Sequence, residues 1–315
     1  MTHAILLALA PVFFVLAVGF GAGRLRIVDN LHVDGFNALV MNFALPASLF
    51  AATASAPRGE LLAQAPLFAI FGGVVLVLHL AWYFAATRLF NEGRANAAIQ
   101  ALTVAFPNLA GVVLPIMSEV LGPGGVVPVA IALATGSIIV GSLTLIIVEM
   151  DAAGKGGVER KPLARIFNAV WHAFTKPVVL APALGIVFSL GGMPTSPVID
   201  ACLHLIGQAA PGVALFLTGL ILSSQAFRLD WRIVRATLTA DIVRPLLTAA
   251  VVLALPMPND AARIAILLAA GPSGFFGILF AVSYRMDAAA IGSMVAASTV
   301  FSIVTMAIAI AVLFP

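Results

Sequence analysis

The chain has 315 residues, 62% of them hydrophobic and 9% charged, with a formal net charge of +3. Soluble domains carry roughly 45–50% apolar and about 25% charged residues, and a soluble fold of this size cannot hide such an excess of apolar surface. Soluble enzymes, nucleic-acid binders and disordered chains are excluded. The composition suits a bilayer, and the single cysteine, Cys202, offers neither an intramolecular disulfide nor a cysteine metal cluster.

In chain order, nine stretches lack Asp, Glu, Lys and Arg and approach the length needed to cross about 30 Å of hydrocarbon as a helix. They are 1–23, 35–57, 61–87, 95–118, 120–148, 177–199, 201–227, 264–284 and 288–315. A tenth, 236–259, is apolar except for Asp241 and Arg244. The windows lack the alternation that membrane strands require, so the expected fold is an all-α polytopic membrane protein with ten transmembrane helices. The first window lacks a basic n-region and is read as an uncleaved helix.

Cations set the orientation. With the N-terminus outside, the inner loops hold thirteen of the sixteen Lys and Arg residues, and only Arg58 and Arg263 face outward. Both termini are expected outside the cytoplasm, in the inner (cytoplasmic) membrane. Residues 150–176 join the fifth and sixth spans. They begin Gly-rich and continue from Pro162 with Leu163, Ile166, Phe167, Val170, Trp171 and Phe174 at helical spacing. This piece is expected as an amphipathic cytoplasmic connector. It divides the chain into a first repeat, 1–149, and a second, 177–315.

The halves echo each other at an offset of 165 residues, Pro46 matching Pro211 and Pro107 matching Pro272. Five spans per half place the second copy upside down, and paired Gly/Pro interruptions in inverted halves point to a transporter's binding site. Pro107 and Pro272 are followed by the N-cap types Asn108 and Ser273, and glycines follow at Gly111, Gly274 and Gly277. The fourth and ninth spans are therefore expected to unwind near mid-membrane and restart at Asn108 and Ser273. Their positive helix N-termini would then face a shared centre that attracts an anion.

These residues resemble the auxin efflux carrier family of secondary transporters, particularly its malonate-transporter-like bacterial members. The likeness spans the chain and rests on Asn42-Phe43-Ala44-Leu45-Pro46 with Phe50, on Pro107-Asn108 with Gly111 and Pro115, on Arg244-Pro245, and on Pro272. It implies a 5+5 inverted repeat similar to the bile-acid sodium symporter and sodium–proton antiporter folds. Spans 1, 2, 6 and 7 would form a scaffold, and spans 3–5 and 8–10 a moving elevator-like domain. The substrate carboxylate would sit at the crossing of the broken spans, and a homodimer is implied. Many plant members have asparagine where this chain has Ser273, and they carry a long hydrophilic central loop that it lacks; both departures favour a small metabolite over auxin.

Charged residues inside spans cost about 2.5–3.5 kcal/mol on insertion scales, so each needs a reason. Asp241 and Arg244 stand three apart and can face each other, either as a structural pair or in coupling and gating. His79 is the first-repeat counterpart of Arg244. Asn42, Gln100 and Gln208 are candidate pore-lining amides, Asp200 and His204 a candidate interfacial pair, and Glu119 and Glu149 solvated span ends. The expected substrate-binding set is Asn108, Pro107, Gly111, Ser273, Pro272, Gly274, Asn42 and Gln208. No cofactor or metal is expected beyond coupling to H+ or Na+, and no enzyme motif is present. The alternatives are a cation–proton antiporter and a sodium-coupled symporter of another organic solute.

Overall fold

The computed structural model describes residues 2–154, 171, 175–225, 230–255, 257–284, 286 and 288–314. Most of the 150–176 connector, residues 155–170 and 172–174, lies outside them. The described residues are helical, with no named strand. We number the helices α1 (Thr2–Arg24), α2 (Asp34–Ser55), α3 (Arg58–Ala63), α4 (Ala65–Leu89), α5 (Arg94–Ala105), α6 (Leu109–Leu121) and α7 (Val126–Asp151). The rest are α8 (Pro177–Gly191), α9 (Pro197–Ser224), α10 (Trp231–Ala254), α11 (Asn259–Ala270), α12 (Phe276–Ser283) and α13 (Ala289–Leu313). Six of them (α2, α4, α7, α9, α10 and α13) are long and apolar enough to cross a membrane.

Many large apolar side chains face outward while hydroxyls are kept inside. On α13, Val300, Val304, Ile308 and Val312 form an i, i+4 row that is 56–72% exposed, while Ser293, Ser298 and Ser302 are buried. In water this arrangement would waste apolar surface; against lipid it keeps these serine hydroxyls inside the protein.

Prolines shape several helices. A proline lacks the N–H that an α-helix bonds to residue i−4 and crowds that carbonyl. Widening to a π-turn relieves the clash. Of four π-turns among the described residues, Val40–Ala44, Leu109–Val113 and Thr239–Val243 each end two residues before a proline (Pro46, Pro115 and Pro245), while Ser137–Gly141 precedes none. Elsewhere prolines open helices, as Pro177 and Pro197 do, where the missing donor costs nothing.

Two helix groups emerge. In one, α1 packs along α9 and α2 along α8. A Cβ on Gly19 would lie 2.1 Å from the Phe216 carbonyl oxygen, and one on Gly219 would lie 2.0 Å from that of Leu16. Reciprocal glycines thus let two backbones touch, the usual way membrane helices gain contact area. In the other group, α4 packs on α5 and α7, α10 packs on α11 and α13, and α4 meets α10.

Candidate functional site

Two helix breaks meet inside the second group. α5 ends at Ala105, and Phe106 is extended (φ −102°, ψ 113°) because the residue before a proline is driven from helical geometry. α11 ends at Ala270, and Gly271 is extended before Pro272 for the same reason. The two extended pieces run antiparallel. Asn108 N–H donates to the Pro272 carbonyl at 2.7 Å and Gly274 N–H to that of Phe106 at 2.9 Å, giving a bridge between Pro107 and Ser273. A Cβ on Gly274 would lie 2.5 Å from the Phe106 carbonyl oxygen, so this approach needs glycine. Asn108 and Ser273 are both buried.

Beyond the first break, Asn108 caps α6: its Oδ1 accepts the Gly111 N–H at 3.0 Å. Gly111 sits so close to α9 that a Cβ there would lie 2.7 Å from Thr218 Oγ1. The second break departs from expectation. The helix resumes at Phe276, not beside Ser273, and the Ser273 side chain caps nothing. Its backbone N–H instead donates to Ser298 Oγ at 2.7 Å, and the Ser298 hydroxyl donates to Asp241 Oδ1 at 2.7 Å. Ser298 lies in an apolar span with no sequence motif to single it out.

Arg244 is fully buried. Nε donates to the Ala269 carbonyl at 2.8 Å, one terminal nitrogen to that of Val104 at 2.7 Å, and the other to that of Gly271. These are C-terminal carbonyls of α5 and α11, which have no intrahelical donor. Each helix C-terminus carries roughly −0.5 charge, so the two together balance about one guanidinium. The expected face-to-face pairing of Asp241 with Arg244 is thus replaced. The arginine staples two helix ends, and the aspartate bonds to α13.

Three buried side-chain atoms around the crossing lack a hydrogen-bond partner: Asn108 Nδ2, Ser273 Oγ and Asp241 Oδ2. Arg244 thus holds both helix C-termini at the crossing, and the N-terminus of α6 begins there beside Asn108.

The remaining candidates fall elsewhere. Asn42 is exposed and lines a cavity of about 470 Å³ together with Asn37, Glu149, Lys176, Phe280 and Tyr284. Glu149, expected to be solvated, is half-buried in this wall. A narrow extension of about 30 Å³ continues past Ser142 to Phe106 and Phe276. Their rings stack with centroids 5.7 Å apart, between the cavity and the crossing. Gln208 is exposed at the join within α9, away from the crossing. Gln100 is buried on α5 with Oε1 unpartnered, and His79 is buried on α4 with neither ring nitrogen hydrogen-bonded. Asp200 and His204 form no ion pair, and Glu119 is exposed. No cluster of His, Cys, Asp or Glu fit for a metal occurs among the described residues.

Comparison with known proteins agrees with a transport role. A family profile described as "Membrane transport protein" matches residues 4–310. The uncharacterized transporter YfdV of Escherichia coli K12 is 27% identical over 278 residues, covering 88% of each chain. An uncharacterized transporter of Methanothermobacter thermautotrophicus is 24% identical over 305 residues, covering 94% of each. The chain belongs to this membrane transport protein family, the auxin efflux carriers, and is a multi-pass membrane transporter rather than an enzyme.

Proposed function

We propose that this member of the membrane transport protein family is a secondary transporter of a small organic anion, a malonate-like mono- or dicarboxylate. It works by alternating access, with the carboxylate held at the crossing of the broken helices. The carrying observation is the Pro107–Ser273 bridge, which brings two interrupted helices to one buried point. Asn108 Nδ2 and Ser273 Oγ are donors without partners there, and a carboxylate would satisfy both while lying at the N-terminus of α6. Pro107, Pro272, Gly111 and Gly274 shape the site. Asn42 belongs to the approach rather than the crossing, and Gln208 is left out.

The wider reading is a ten-span, 5+5 inverted repeat, with residues 1–149 and 177–315 as repeats and 150–176 as an inner connector. The helix pairings favour it. α1 on α9 matches α8 on α2, and α4 with α5 and α7 matches α10 with α11 and α13. The same pairings favour a scaffold of α1, α2, α8 and α9 and a moving group of the other helices. In the inner membrane with both termini outside, the Lys176 and Glu149 cavity opens inward and ends at the Phe106–Phe276 stack.

The test is a thermal-shift screen of purified protein against mono- and dicarboxylates, followed by uptake of the best one into proteoliposomes. Saturable uptake with no product formed supports the reading; stabilisation by cations or neutral solutes alone contradicts it. Cysteine labelling at position 156, with Cys202 replaced, tests topology: labelling only from outside would overturn it.

A further inference from the structure

Asp241 is a buried carboxyl that the anion site does not use. Oδ1 accepts from Ser298 and Oδ2 has no partner; Asp241 and Thr305, whose Oγ1 is also unpartnered, both line an apolar groove along α10 and α13. The obvious counter-charge is Arg244, yet it forms no ion pair with Asp241, and three of its five N–H groups are bonded to the carbonyls of Val104, Ala269 and Gly271. No other charge comes near. α13 has no ionisable residue, α11 carries Asp260 and Arg263 only in its first turns, and α5 begins with Arg94, far from the crossing. α4 brings His79, and His79 makes no hydrogen bond.

We propose that Asp241 is a proton-binding group whose occupancy sets how tightly the crossing is closed. This rests on the crossing being the substrate site. The proton forms an O–H bond on Oδ2 and that bond breaks when it leaves, the proton exchanging with water admitted as the crossing opens rather than through the lipid-facing groove, while Oδ1 keeps its bond from Ser298. With the proton on, Asp241 is neutral, Arg244 stays on the helix ends, and Ser298 holds the Ser273 amide. With the proton off, a carboxylate lies three residues from Arg244 on one helix face. A buried charge without a partner is costly, so the guanidinium is drawn toward it and away from the three carbonyls. The break between α5 and α11 then loosens. One group thereby biases a two-state element that the substrate also biases. A sodium ion suits the place poorly, because Asp241, Ser298 and Thr305 offer few oxygens in an apolar wall.

Infrared titration of the purified protein in lipid, from about pH 5 to about pH 9, tests this without any substrate. The expected result is a protonated-carboxyl C=O band that fades as pH rises and is absent from Asp241→Asn. Ser298→Ala should shift the band, and it carries the test if Asp241→Asn does not fold. Hydrogen–deuterium exchange gives the coupling. At alkaline pH, segments 104–111 and 269–275 should exchange faster in the wild type than in Asp241→Asn at the same pH, and the difference should vanish at acidic pH. Identical titrations of wild type and Asp241→Asn, a band unmoved by Ser298→Ala, or loss of the band on adding sodium at fixed pH would each overturn the proposal. Absent carboxylate uptake would remove the carboxylate reading of the crossing and leave these bands as they are.

Discussion

The two helix breaks begin alike and end differently. Each has a proline that forces its predecessor into extended geometry, and each lends the other a backbone hydrogen bond. At the first, the asparagine turns back onto Gly111 N–H and α6 restarts at once. At the second, the serine's amide is taken by Ser298, and α12 waits until Phe276. An asparagine carboxamide at this position reaches the amide three residues on and caps its own helix. A serine beside Gly274, whose N–H is drawn to Phe106, leaves its break to be held from another helix. The first break is locally complete; the second is wired to α13 and to Asp241.

Removing what the breaks share should do most damage. Arg244→Ala strands three buried carbonyls, at a cost of at least about 3 kcal/mol, and should collapse the folded yield or sharply lower the melting temperature. Arg244→Lys should recover only part of it, because an ammonium lacks the fork that spans two helix ends. Next comes Asn108→Ala, which loses a cap and a free donor: about 1–2 kcal/mol, or roughly tenfold in affinity for the carboxylate found by thermal shift. Ser298→Ala should follow, since it cuts the Ser273 amide from Asp241, and hydrogen exchange at 271–275 should rise. Ser273→Ala should be mildest, below about 0.5 kcal/mol in stability, because its hydroxyl caps nothing. A larger stability effect for Ser273→Ala than for Ser298→Ala would break the comparison.

Much of this was written in the chain. Composition selects the bilayer, and the apolar windows locate the helices. Pro107-Asn108 and Pro272 mark the two places where the backbone cannot stay helical. Local chemistry suffices for these, and for the Asn108 cap. Contacts between helices were not legible. Ser298 lies 25 residues from Ser273 and 57 from Asp241, with nothing in its own span to distinguish it. The spacing of Asp241 and Arg244 suggests an ion pair, but it cannot show that two helix C-termini compete for the same guanidinium. Glu149 looks like an ordinary solvated span end, and Asn42 like part of the binding site itself, until folding brings α2, α7, α8 and α12 around one cavity.

Asn108→Asp puts the anion site to the most direct test. Aspartate is as good an N-cap as asparagine, so α6 should restart and thermal stability should stay near that of the wild type. The substitution places a negative charge where the carboxylate is proposed to bind. The account predicts that this variant folds, reaches the membrane, and loses both the thermal shift and the uptake seen with the wild type's best carboxylate. Wild-type binding and uptake by a stable Asn108→Asp protein would contradict it.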